Sequence, residues 1–267
     1  MAMIKRRKFR PSDEMSPAKK RAMIGPKLSF AAAEAYKVLR TNLMFSMPDE
    51  NKCRIVGVTS ALRGEGKSMT SINLAYSIAQ TGKKTLLLEA DMRLGRTAES
   101  LGLSTSPGLS NLLAGLCSSK DVLQNSGLLE NLMVIAAGDV PPNPAELLGS
   151  EQMKKLLEAL SGIFDFIVVD LPPVVAVSDA AIVSNLVHGM IVVVRQDYCD
   201  RESLNETMRQ LEFLDTKILG FVMTNSPVQQ SKYGKYGRYG RYGRYGKYSR
   251  YYSRYGKYEG YGYAAED

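Results

Sequence analysis

The stretch "ALRGEGKS", Ala61 to Ser68, carries the residue types that wrap an anion. Small residues let backbone N–H groups turn inward around phosphate oxygens, and a helix starting at its end adds partial positive charge. Ala61 stands where such a loop usually has its first glycine. Arg63, Gly64, Glu65, Gly66, Lys67, Ser68 and Met69 would then form an ATP-binding segment. Lys67 would reach the β- and γ-phosphates, and the Ser68 hydroxyl would bind Mg2+. The alternative is a chance glycine-rich turn, but the motif follows a predicted strand and opens a predicted helix, the setting the chemistry needs.

Two further apolar runs end in carboxylates. "LLLEADMR" presents Glu89 and Asp91, two residues apart at a strand end and so able to face one side. "FIVVDLPP" ends at Asp170 and is cut off by Pro172 and Pro173. In a parallel sheet the carboxyl ends of the strands share the edge where phosphates bind. Asp170 fits a carboxylate holding Mg2+ through water, which leaves Glu89 and Asp91 near the γ-phosphate as metal ligands or proton acceptors. The competing reading makes all three plain strand-end carboxylates capping the next turn. No HRD, DFG or kinase-type GxGxxG is present, so the chemistry is not that of eukaryotic-type protein kinases.

The elements around these residues alternate. Strands are expected at "CRIVGVTS", "KTLLLEA", "NLMVIAAG", "FDFIVVD", "GMIVVVR" and "KILGFVMT", and helices at "KSMTSINLAYSIAQTG", "SEQMKKLLEALSG", "SDAAIVSNLV" and "RESLNETMRQLEFL". Strands apolar almost throughout suit a parallel sheet covered on both faces. The fold class is therefore α/β, doubly wound, with a mostly parallel sheet of the P-loop NTPase type. The expected organisation is a basic flexible leader over 1–27, the nucleotide-binding domain over 28–227 with a helical segment at 28–48, and a disordered tail over 228–267.

Charge divides the same way. The 267 residues carry a formal +8, but 1–27 has nine Lys/Arg against two acids, and 231–267 has nine against three. Ends of +7 and +6 leave an acidic body of −5, so the basic balance describes the ends. The basic start "IKRRKFR" lacks the apolar stretch of a secretory signal. It reads as solvated chain, with anionic lipid headgroups as the alternative partner. No apolar run approaches the roughly 18–20 residues of a membrane span. Cys53, Cys117 and Cys199 have no metal or disulfide spacing and read as free thiols of a reducing compartment. His188 reads as a loop or strand-entry residue.

The tail is the least ordinary segment. Twelve of the fifteen tyrosines lie in 231–267: Tyr233, Tyr236, Tyr239, Tyr242, Tyr245, Tyr248, Tyr251, Tyr252, Tyr255, Tyr258, Tyr261 and Tyr263, most beside a glycine and a Lys or Arg. Glycine at this density forfeits too much backbone entropy for a helix, and a triple helix would need prolines that are missing.

In combination, "ALRGEGKS", "LLLEADMR", "FIVVDLPP", the upstream "EAYKVLRTNL" and the terminal tyrosine cluster resemble the bacterial tyrosine kinases of capsule and exopolysaccharide synthesis, in their cytoplasmic Gram-positive form. The resemblance covers roughly residues 30–226 plus the tail. It implies that Lys67 and Ser68 bind ATP and Mg2+, that Asp170 is the Walker B carboxylate, that Glu89 and Asp91 form the Walker A′ pair, and that Arg93 is the family's arginine. The family's first A′ position is Asp; here it is Glu89, whose extra methylene displaces the carboxylate by on the order of 1 Å. The resemblance also implies autophosphorylation of the tail tyrosines in trans within a ring-shaped homo-oligomer. It further implies a transmembrane polysaccharide co-polymerase adaptor that recruits the chain to the inner face of the membrane, and a cognate tyrosine phosphatase. Glu34, Tyr36, Arg40 and Asn42 would be oligomer contacts, although the same helix could simply pack on its own domain. Asn225 lies near where the superfamily places an adenine-contacting Asn, one residue beyond the offset from Gly220 that Thr224 occupies. ParA/MinD-like ATPases carry a signature lysine at the position of Leu62, which argues for the kinase branch.

A kinase reading explains the tail, because glycine-flanked tyrosines can enter an active site without melting structure. Its r.m.s. reach is about 35 Å. Each phosphate adds about −1.5 to −2 charges, so about four would cancel the +6. Two other readings stay open: a catalytically weak ATP-dependent scaffold, prompted by Glu89, and a nucleotide-switch ATPase whose basic tail binds a polyanion by charge and stacking. No specific nucleic acid is expected.

Overall fold

The computed structural model describes residues 21–47 and 52–226. The expectations for the first part of the leader and for the tyrosine-rich tail, 228–267, lie outside the described residues.

Seven strands form one sheet: β1 (Arg54–Ser60), β2 (Thr85–Glu89), β3 (Leu123–Asn125), β4 (Leu132–Ile135), β5 (Phe166–Asp170), β6 (Met190–Arg195) and β7 (Ile218–Thr224), in the order β3-β4-β2-β5-β1-β6-β7. All neighbours run parallel except β3 against β4. The central strands β1, β2 and β5 are buried along their whole length, as their largely apolar sequences require.

Alternate residues feed two cores. Val56, Val58, Leu87 and Val168 point to one face and pack on Ile72, Leu74 and Ile78 of helix α2 (Lys67–Ala79). Ile55, Leu86, Leu88, Ile167 and Val169 point to the other. Helices α6 (Pro144–Leu148), α7 (Glu151–Ser161), α8 (Asp179–Ser184) and α9 (Arg201–Phe213) supply the partners there, among them Leu148, Leu157, Val183 and Leu211. Side-chain caps fix several helix starts: Ser29 for α1 (Phe30–Ser46), Ser150 for α7 and Asp200 for α9 each accept from the N–H three residues on.

The long periodic elements fall where the sequence places them. The "SDAAIVSNLV" helix is shorter than expected and stops at Ser184. Short helices α3 (Thr97–Leu101), α4 (Leu109–Leu113), α5 (Ser119–Val122) and α6, together with strand β3, are additions the pattern did not show. His188 has a definite job: its Nδ1 accepts from Ile55 N at 2.9 Å and its own N–H donates to Ile55 O, fastening the entry of β6 to β1. The three cysteines are free. Among the described residues no helix is long and apolar enough to cross a membrane.

Candidate active site

Strands β1, β2 and β5 end side by side, and their register brings the chemistry together. Glu89 pairs with Asp170, and Asp170 with Val58, so both carboxylates continue the sheet face that carries α2. The loop from Ser60 to Lys67 crosses above this edge. Gly64 and Gly66 take φ of 86° and 95°, a left-handed turn open to glycine at little cost. Between them Glu65 is buried; its carboxylate accepts the N–H of Leu62 at 2.6 Å and of Arg195 at 3.2 Å. Ala61 is fully buried, so a small residue suits the first loop position.

Helix α2 starts at Lys67 with Gly66 as N-cap and no side-chain cap. The first N–H groups of a helix have no partner within it, so the amides of Lys67, Ser68 and Met69 face the loop, as a phosphate site needs. The Lys67 ammonium lies 2.8 Å from Asp91 Oδ2 and 3.8 Å from Asp170 Oδ1, in a buried setting. Burial, the largest single influence, pulls its pKa down, but Asp170, Asp91 and Glu89 together outweigh it and hold it above the ordinary lysine value.

The carboxylates differ in their partners. Asp170 accepts from Thr97 Oγ1 at 2.8 Å, and Ser71 Oγ lies 3.1 Å from its other oxygen. Asp91 holds Lys67 with one oxygen and accepts the N–H of Leu94 at 3.1 Å with the other. Glu89 accepts the N–H of Thr97 at 2.5 Å, of Ala137 at 3.2 Å and of Ala98 at 3.4 Å. Burial raises the Glu89 pKa; the Thr97 N–H opposes this, the Asp170 charge reinforces it, and the amides of Ala137 and Ala98 oppose it further. The expectation that Glu89 acts beside Asp91 therefore meets a different geometry: its carboxylate turns onto three backbone amides and takes no part in the Lys67 ion pairs.

Other expected residues are also placed. Arg93 clasps buried Asp179 through two bonds, Nε to Oδ2 at 2.8 Å and Nη2 to Oδ1 at 3.1 Å. Arg63 and Gly64 serve through their carbonyls, which accept from Tyr198 OH and Arg195 Nη1. Thr224, not Asn225, meets the loop: its Oγ1 donates to Glu65 O at 2.6 Å, while Asn225 follows exposed at φ 55°. On α1, Arg40 donates to Ser77 O at 2.6 Å and the Tyr36 phenol is pushed up by burial against α2. Glu34 pairs with Lys37, and Asn42 is exposed. The helix thus packs on its own domain, and it still exposes Phe30, Val38 and Phe45.

Thr97, Ser71, Asp179 and Arg195 escaped the sequence reading. Each acts through a fold contact with a residue far along the chain, and none sits in a motif that announces it. Among the described residues no three His, Cys, Asp or Glu converge to hold a metal unaided. Mg2+ usually takes one or two carboxylates, substrate phosphates and waters, and Asp91, Asp170 and the Ser68 hydroxyl fit that demand.

Comparison with known proteins follows the same line. A family model described as an AAA domain matches residues 53–219. The tyrosine-protein kinase CpsD of Streptococcus agalactiae serotype Ia is 40% identical over 204 residues, covering 75% of this chain and 85% of that protein. The tyrosine-protein kinase YwqD of Bacillus subtilis is 36% identical over 203 residues, 76% of this chain and 85% of that one. Among solved structures, the kinase domain of the Escherichia coli tyrosine kinase ETK superposes with a TM-score of 0.70 at 32% identity, covering 87% of this chain and 89% of that one.

Proposed function

The chain belongs to the AAA-domain family and, within it, to the bacterial tyrosine-protein kinases, and on that premise we propose that it transfers the γ-phosphoryl group of ATP to the tail tyrosines Tyr233–Tyr263 of another copy. The observation that carries this reading is Lys67, at the start of an uncapped helix with its ammonium between Asp91 and Asp170 where three strands end.

In this reading the loop amides from Gly64 to Met69 and Lys67 grip the phosphates. Phosphate oxygens compete with Asp91 for the ammonium. Asp91, Asp170 and Ser68 hold Mg2+, which supplies charge neutralisation on the transferring group when bound. Asp170 is held fixed by Thr97 and Ser71. Arg93 acts through its clasp on Asp179, tying the segment after β2 to the start of α8. Glu65, Arg195 and Tyr198 keep the loop in shape, and Asn225 stands beside the base end of the site. Catalysis is then mostly positioning and charge stabilisation.

The finer assignments rest on the family. Copies assemble through α1 with Glu34, Tyr36, Arg40 and Asn42 near the contact. A transmembrane adaptor recruits them to the membrane's inner face, and a tyrosine phosphatase resets the tail. The output is control of capsule or exopolysaccharide synthesis.

A mixing experiment tests transfer between copies. Chains with Lys67→Met and an intact tail are incubated with Mg2+-ATP and chains with Lys67 intact but all twelve tail tyrosines changed to Phe. Phosphate on the Lys67→Met tail supports the proposal. A Lys67→Met tail that stays unmodified, while the wild-type chain alone is phosphorylated, contradicts transfer in trans.

A further inference from the structure

Glu89 and Asp91 lie two residues apart yet face different company. The segment after β2 doubles back over Glu89. A Cβ on Gly95 would sit 2.7 Å from Glu89 Oε1 and 2.8 Å from Asp91 O, so the chain passes this point only because residue 95 has no side chain. Beyond it, Thr97 and Ala98 open α3 and present their N–H groups to the Glu89 carboxylate. Ala137, just past the end of β4, adds a third amide from a separate part of the chain. Thr97 then closes the circle, because its hydroxyl donates to Asp170 Oδ2 at 2.8 Å. Thr97 is fully buried, and Glu89 and Asp170 are register neighbours on adjacent strands.

We propose that Glu89 is a positioning residue: its carboxylate cross-links the Thr97–Ala98 backbone to Ala137 and thereby sets the Thr97 hydroxyl that orients Asp170, leaving metal and phosphate contact to Asp91 and Asp170. A carboxylate that swung away to a metal would leave three N–H groups without acceptors, and buried unsatisfied donors are costly. Asp91 bears no such burden, since its oxygens already face Lys67 and one local amide. A shorter Asp at 89 would keep the charge but draw back from amides that the present chain length reaches. Glu89 and Gly95 thus form a matched pair, the longer acid filling the space the missing side chain leaves.

The proposal rests on the nucleotide-site reading only in assigning Asp91 and Asp170, so its test reads backbone protection and Mg2+ binding and needs no phosphoryl transfer. Hydrogen exchange is measured on full-length wild-type, Glu89→Gln, Glu89→Asp and Asp91→Asn chains, in peptides covering 93–101 and 134–140. The Mg2+ dependence of ADP binding is titrated alongside. Glu89→Gln and Glu89→Asp should exchange at least tenfold faster in both peptides, with the Mg2+ half-saturation raised by at most about fivefold, the indirect effect of an Asp170 that is loosened but still present. Asp91→Asn should move that half-saturation at least tenfold and leave the two peptides protected. If Glu89→Gln fails to fold, Glu89→Asp carries the test, because it retains the charge. A tenfold Mg2+ shift in either Glu89 variant overturns the proposal, and so does unchanged exchange in both peptides. Failure of every chain to bind ADP would instead sink the nucleotide-site reading.

Discussion

Lys67 Nζ and Asp91 Oδ2 stand 2.8 Å apart in a buried site, with Asp170 Oδ1 a further neighbour at 3.8 Å. Asp170 ends β5, and Asp91 lies two residues past the end of the neighbouring strand β2. A single cation therefore offsets part of the charge of the carboxylates that the proposed chemistry needs, leaving a net negative site suited to a divalent cation.

Removing that cation should cost stability as well as activity. Lys67→Met leaves Asp91 and Asp170 buried without compensation, a loss of about 3 kcal/mol for a broken buried pair. Mg2+ should recover part of it by replacing the missing charge. Thermal melting of Lys67→Met in EDTA and in Mg2+ checks this: a lowered Tm that Mg2+ raises more than it raises the wild type is expected.

The Arg93–Asp179 clasp predicts an asymmetry. Asp179 is fully buried and Arg93 is partly exposed, so Arg93→Ala strands a buried carboxylate whereas Arg93→Lys keeps a charge but loses the two-pronged fit. Urea unfolding should show a loss of about 3 kcal/mol for Arg93→Ala, with Arg93→Lys in between. Equal stability for all three chains would count against the clasp.

Glu65 braces the phosphate loop from inside through Leu62 and Arg195. Glu65→Ala removes acceptors from two backbone donors at about 1–3 kcal/mol each and releases the loop shape. ADP affinity should fall by about tenfold or more, read by a fluorescent-nucleotide titration. Tyr198→Phe, which gives up one hydrogen bond to Arg63 O, should fall by about fivefold at most.

The thiols give a pH prediction. Burial, first of all, pushes Cys53 up to about 11 and Cys199 up to about 12, with Glu65 adding to the second. Folding thus disfavours both thiolates. Their contribution to stability is complete below the free-thiol range and is lost as pH rises through about 11 to 12. Mass-resolved alkylation at pH 8 should modify Cys53 and Cys199 about a hundredfold more slowly than a free thiol, with rates climbing steeply above pH 10.

Much of the fold was readable because its signals are local. Each central strand has a continuous apolar middle, and "GEGKS" states its own turn and helix start. Strand periodicity also placed Glu89 and Asp91 on one side. It could not say where each side chain ends, because that depends on Gly95, Thr97 and Ala137 folding back around Glu89. The same holds for Asp179 and Arg195, whose partners lie 86 and 131 positions away. Four-residue and five-residue helices such as α3 and α5 carry too few turns for a period to show. At the end of β7 it is Thr224 that meets the loop, while Asn225 follows it exposed with a left-handed φ, a distinction that depends on one residue of register and that no local pattern carries.

The central claim is tested most directly by phosphotyrosine mass spectrometry on the full chain. The protein is dephosphorylated, then incubated with Mg2+-ATP beside a Lys67→Met control, with and without the cytoplasmic peptide of a candidate membrane adaptor. Phosphate accumulating on Tyr233–Tyr263 only when Lys67 is intact is the predicted result. An unmodified tail under every condition, in a chain that binds ATP, would contradict the kinase account and leave a nucleotide-dependent scaffold in its place.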